Sequence, residues 1–181
     1  MGKYVNLGTR NMEIDIEDEF YVDKSMLIKV LNNKVNKKDR FICVSRPRRF
    51  GKTMAANMIA AYYSKGCDSH EIFSGLKISK DPTFEDNINR YTVIKLDING
   101  AATGKGDMTI VQYYNENVVP ELMKAYPDVA LSSDMSLAKA LVSIYEETGD
   151  KFVFIIDEYD VIIRDQEYSS EIKGYLTFLV S

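Results

Sequence analysis

Two short runs in this sequence carry side chains able to act together on a charged ligand: Gly51-Lys52-Thr53 and Asp157-Glu158. The first closes the segment Ser45-Arg46-Pro47-Arg48-Arg49-Phe50, between an apolar stretch and one rich in alanine and methionine. A glycine lets backbone N–H groups approach an anion, and a helix beginning there adds partial positive charge. Lys52 would then reach the β- and γ-phosphates of a nucleoside triphosphate, and the Thr53 hydroxyl would bind Mg²⁺. The full phosphate-loop pattern is Gly, four residues, then Gly-Lys-Ser/Thr. Arg46 stands where its first glycine would be.

Arg48, Arg49 and Phe50 complete the expected nucleotide-binding loop with Gly51, Lys52 and Thr53. The two arginines either add charge to the phosphate site or fix the loop by pairing with Asp23 or Asp97, and the second role is favoured because one lysine with backbone donors suffices. The plain alternative is a basic turn whose arginines pair with surface carboxylates.

Phe152-Val153-Phe154-Ile155-Ile156, the most apolar run in the chain, leads directly into the acid pair. A buried strand delivering two carboxylates at its carboxyl end meets the needs of Mg²⁺-dependent phosphoryl transfer. Asp157 is assigned to the metal side, Glu158 to the attacking water, and Lys52 joins Glu158 as the catalytic pair. An acidic surface turn is the competing reading, and the Lys52 loop in the same chain weighs against it.

Positioning these groups requires alternating strands and helices. Arg40–Val44 reads as a first core strand, Tyr91–Asp97 as a second and Phe152–Ile156 as a third. Ligands of such helix-flanked parallel sheets gather at the strand carboxyl ends, here Ser45, Asp97 and Asp157. Between them, Asp23 reads as the cap of a helix presenting Leu27, Val30 and Leu31, and Thr53–Ser64 as a helix buried against the sheet. Ser69–Phe73 reads as a short helix, Asp81-Pro82 as a turn and Gly100–Gly106 as a flexible connector. Val111, Tyr114, Val118 and Leu122 share a helical face that Pro120 should kink or divide. Leu137, Leu141, Ile144 and Tyr145 mark a helix capped by Ser133 or Asp134 and stopped at Gly149, and Ser169–Val180 reads as a last one.

Composition narrows the function classes. The 181 residues carry 23 Lys and Arg against 27 Asp and Glu, a formal net charge of -4, so nothing indicates a nucleic-acid partner and any anion site must be local. No apolar run approaches the ~20 residues that span a bilayer, and no secretory leader is apparent, so no membrane partner is expected and the cytoplasm is the default location. Cys43, within an apolar run, is expected as a small buried residue and Cys67 as an incidental loop thiol. Neither a zinc site nor a disulfide framework is expected.

The run Arg46-Pro47-Arg48-Arg49-Phe50-Gly51-Lys52-Thr53 resembles the degenerate Walker A loop of the AAA-ATPase-like proteins. Tyr21-Val22-Asp23-Lys24-Ser25, Tyr62-Tyr63, Ile72–Ile78 and the Walker B-like Phe154-Ile155-Ile156-Asp157-Glu158-Tyr159-Asp160 agree with that family. The resemblance implies an α/β P-loop NTPase-like parallel sheet of the additional-strand type, with ATP and Mg²⁺ as ligands, ATP hydrolysis coupled to conformational change, and a protein partner or further copies of the chain. In that light Arg46 is the family's usual departure. Residues 1–181 are expected to form one such domain, incomplete because the fourth and fifth core strands and the sensor residue would follow Ser181. The nuclease-like domain of longer relatives is not represented, and nuclease activity is not expected. Smaller expectations concern Tyr21, in an adenine pocket or in the core, and Asp160, steadying the site or capping the last helix. His70 is read as a solvated helix residue.

Overall fold

The computed structural model describes residues 2–45 and 50–180, which form two compact units. The described residues of the first are 6–45 and 50–93, and those of the second are 2–5 and 94–180.

In the first unit the helices are α1 (Arg10–Ile16), α2 (Met26–Asn32), α3 (Lys52–Tyr63), α4 (His70–Phe73) and α5 (Phe84–Asn87), with a 3₁₀ turn at Lys77–Lys80. α3 is apolar on most sides, and its second half is buried from Met58 to Tyr63 apart from the half-buried Ile59. It packs on α1, whose Met12 is fully buried and whose Asp15 accepts the Asn57 amide at 2.8 Å.

Its carboxyl end enters an aromatic nest. Tyr62 lies edge-on to Tyr63 and Phe73 with ring centroids 4.8 and 5.6 Å apart, a favoured geometry for aromatic quadrupoles. Both tyrosines reach polar partners, as buried hydroxyls must. Tyr62 donates to the Phe84 carbonyl at 2.7 Å, and Tyr63 to Asn32 Oδ1 at 2.6 Å. Burial pushes the Tyr62 phenol up to about 12, and that of Tyr63 higher still.

The second unit holds β1 (Thr92–Asp97) from Ile94 onward, α6 (Ile98–Gly104), α7 (Ile110–Ala125), α8 (Leu137–Thr148), β2 (Phe152–Asp157), α9 (Val161–Arg164) and α10 (Ile172–Val180). β1 and β2 pair as a two-strand parallel sheet flanked by helices, giving a mixed α/β architecture. Parallel pairing needs a long crossover, which α6 to α8 supply. Leu96, Ile98, Ile110, Tyr114, Val118 and Ile144 are fully buried in its core. The amino-terminal strip lies antiparallel to β1, with Lys95 N–H donating to the Tyr4 carbonyl at 2.9 Å.

Several expectations are corrected. Arg40–Val44 is irregular chain and not a strand, with Phe41 80% and Val44 45% exposed, so Ser45 ends no strand. Apolar β-branched residues favour strands only where a pleated, half-buried surface receives them, and here they meet none. Cys43, in the same run, is exposed instead of buried. Gly100 lies within α6, because Asp97 caps that helix and Ile98 and Ala101 bury one side of it. α7 continues through Pro120 undivided, its packing through Val118, Val119 and Leu122 offsetting the hydrogen bond that proline forfeits. α8 is capped by Ser136, one turn of sequence beyond the expected residues, and stops at left-handed Gly149 as expected. α2 begins after Ser25 and buries Ile28, whereas Val30 is 52% exposed. β2 is half-buried apart from the exposed Phe154, although it carries the most apolar sequence.

Candidate functional site

The first group of site residues lies where the loop meets α3. Gly51 caps that helix with φ 74°, a left-handed conformation that glycine adopts without the strain of a Cβ. Its carbonyl accepts the first helical bond, from Ala55 N–H at 3.0 Å, so Lys52 and Thr53 occupy the first turn. N–H groups directed along the axis of a helix start, together with the helix dipole, favour an anion. Phe50 is 62% exposed. Arg46 to Arg49 lie outside the described residues, and with them the expectations for Arg48 and Arg49.

Lys24 is the residue that motif reading passed over. Its Nζ donates to the Phe50 carbonyl at 2.9 Å, and a Cβ on Gly51 would stand 2.9 Å from that nitrogen. The only signal was its place in the Tyr21–Ser25 run. Asp23, read as a helix cap, instead accepts Ser25 N–H at 2.8 Å and Lys77 N–H at 3.0 Å. Burial pushes its carboxyl up, but those donors and the Lys77 charge bring it below the ordinary range.

Two clefts are lined in part by Phe50 and Gly51. One, of about 320 Å³, is lined by Phe20, Tyr21, Val22, Lys24, Met54 and Met58 among others. The other, of about 380 Å³, includes Lys24, Leu27, Val44 and Lys52. Both fall at the lower end of small-molecule pocket volumes, which begin near ~300 Å³. Tyr21 is half-buried, and burial together with the carboxylates of Asp23 and Asp15 raises its phenol above the ordinary value.

The second group terminates β2. Asp157 is the last strand residue, and Glu158 turns the chain with φ 51°. A left-handed non-glycine residue costs on the order of 1–3 kcal/mol, and such strain gathers at functional turns. The turn is held by Glu158 N–H donating to Asp157 Oδ1 at 3.0 Å and by Val161 N–H donating to the Glu158 carbonyl at 3.1 Å. Tyr175 braces it from α10, its hydroxyl donating to the Tyr159 carbonyl at 2.8 Å.

Asp160 precedes α9 without a side-chain cap bond and pairs with Arg164 Nε at 2.8 Å. The same guanidinium stands 3.8 Å from the Glu158 carboxylate. Arg164 was not anticipated, and its i+4 spacing from Asp160 was the available signal. Asp97, at the other strand end, is occupied by Gly100 N–H at 3.0 Å. His70 is solvated as expected, bonding Asp68 and Glu85 on the surface.

Gly51, Lys52 and Thr53 thus stand with Phe50 and Lys24 in the first unit, and Asp157 and Glu158 with Asp160 and Arg164 in the second. Among the described residues no three His, Cys, Asp or Glu side chains form a metal cage. Magnesium at a phosphate site needs none, since it keeps several waters and takes one or two protein oxygens plus phosphate. A threonine hydroxyl and a strand-end carboxylate are donors of that hard-oxygen kind. No helix among the described residues is long and apolar enough to cross a membrane.

A glycine-started helix and a strand-end acid pair thus stand on a mixed α/β chain. The family is specific: the chain belongs to the one described as Predicted AAA-ATPase, whose model matches residues 7–179. No curated protein and no solved structure matches it.

Proposed function

We propose that this chain is an ATPase domain that binds Mg-ATP, with residues 1–181 acting as one P-loop unit of the additional-strand type. The observation that carries this reading is the left-handed Gly51 that starts α3 with Lys52 and Thr53, beside a cleft of nucleoside size. Family membership supports it.

In this reading Lys52 draws the β- and γ-phosphates onto the first turn of α3, and N–H groups of that turn donate to phosphate oxygens. Thr53 and Asp157 would hold magnesium, which would supply charge neutralisation to the transferring phosphoryl group. Glu158 orients and deprotonates the attacking water in this reading. Phe50, Arg48 and Arg49 complete the loop. Hydrolysis would then drive or report a conformational change.

Calorimetry with Mg-ATP on the chain and on Lys52→Ala tests the site, and indistinguishable binding heats would remove the lysine from it. Glu158→Gln tests the chemistry: phosphate release should fall at least ~100-fold, the lower end of the range for losing a general base, while Mg-ATP binding persists.

A second reading, a nucleotide-binding regulatory or assembly module with little turnover, is favoured by the Arg164 guanidinium near the Glu158 carboxylate. It requires that wild type bind Mg-ATP and release no phosphate above the Glu158→Gln level.

A further inference from the structure

We infer that Lys24 is a second cation of the phosphate site, a positioning residue that grips the polyphosphate chain of a nucleoside di- or triphosphate. This inference rests on the nucleotide-binding reading above. Lys24 lies 26 residues before Phe50 in the chain, yet its ammonium hydrogen-bonds the Phe50 carbonyl at 2.9 Å. It lies over the one residue whose missing Cβ makes room for it, since a side chain at Gly51 would begin 2.9 Å from Nζ.

Lys24 also lines both clefts, as do Phe50 and Gly51. It is therefore shared by the cleft walled by Phe20, Tyr21 and Met58 and by the cleft that includes Lys52. An ammonium has three donors, and the Phe50 carbonyl takes one. A ligand with an apolar ring in that cleft and a phosphate chain at the helix start would pass this nitrogen. Its phosphate oxygens would accept charge-assisted bonds, which are stronger than neutral ones.

The segment from Phe20 to Lys24 is thereby tied to the loop, so ring binding and phosphate binding are read by one side chain. Lysine suits the task as a flexible point charge able to keep the carbonyl while it reaches phosphate.

The test is calorimetric titration of the full chain, of Lys24→Met and Lys24→Arg, and of Lys52→Ala, with Mg-ATP and with inorganic tripolyphosphate. Lys24→Met should weaken both ligands about tenfold or more, the loss expected for one charge-assisted hydrogen bond, and Lys24→Arg should restore most of it. Should Lys24→Met not fold, Lys24→Gln takes its place. Wild-type affinity in Lys24→Met beside lost affinity in Lys52→Ala would overturn the role of Lys24 alone. Wild type that binds neither ligand would overturn the nucleotide site and this inference together.

Discussion

The Asp97 carboxylate reaches three residues forward to the backbone of Gly100, accepting its N–H at 3.0 Å through Oδ1, while a Cβ on Gly100 would lie 2.5 Å from Oδ2. The last residue of β1 is thus the cap of α6, and the glycine leaves room for its carboxylate. Asp97→Ala should cost about 1 kcal/mol in urea unfolding, the usual loss for an amino-terminal helix cap, and Asp97→Asn should keep most of it. Equal losses in the two variants would mean that charge, and not capping, is what Asp97 supplies.

Glu121 performs a similar service for the amino-terminal strip. Its carboxylate accepts the N–H groups of Lys3, Tyr4 and Val5 at 2.8, 2.9 and 2.9 Å. Bonds to a charged acceptor are each worth roughly 1.5–3 kcal/mol when their partners are shielded, and part of this group is buried. Glu121→Ala should abolish hydrogen-exchange protection of the Tyr4 and Val5 amides. Protection unchanged from wild type would show that pairing with β1 alone holds the strip.

Asp81 gives the first unit a pH-dependent component. Thr83 hydroxyl and N–H donate to it at 2.7 and 3.0 Å and Lys29 Nζ lies 2.9 Å away, which together hold its carboxyl at about 2 against an ordinary 3.8. A carboxyl depressed on folding stabilises the fold at every pH above its unfolded value, and that stabilisation fades as pH falls through the folded value. Stability should therefore drop between pH 3.8 and about 2, and Asp81→Asn should flatten that part of the profile. An unaltered slope in Asp81→Asn would place the acid sensitivity elsewhere.

What the linear sequence determined here is local. Gly51-Lys52-Thr53 forms a helix start because a left-handed glycine and an alanine-rich successor suffice without distant help. β1 and β2 appear where β-branched runs end in an acid, and Gly149 stops α8 through its own backbone freedom. Tertiary structure decided what depends on a neighbour. Phe41 to Val44 has strand-forming residues but no surface to cover, so it stays irregular and exposed. Gly100 reads as a loop residue until the Asp97 carboxylate and the burial of Ile98 make it helical. Lys24 reads as a surface lysine until the fold brings the Phe50 carbonyl to its ammonium, and Arg164 as a helix charge until Glu158 turns toward it. Propensity acts through each residue's own backbone, whereas burial and pairing require partners that only the folded chain assembles.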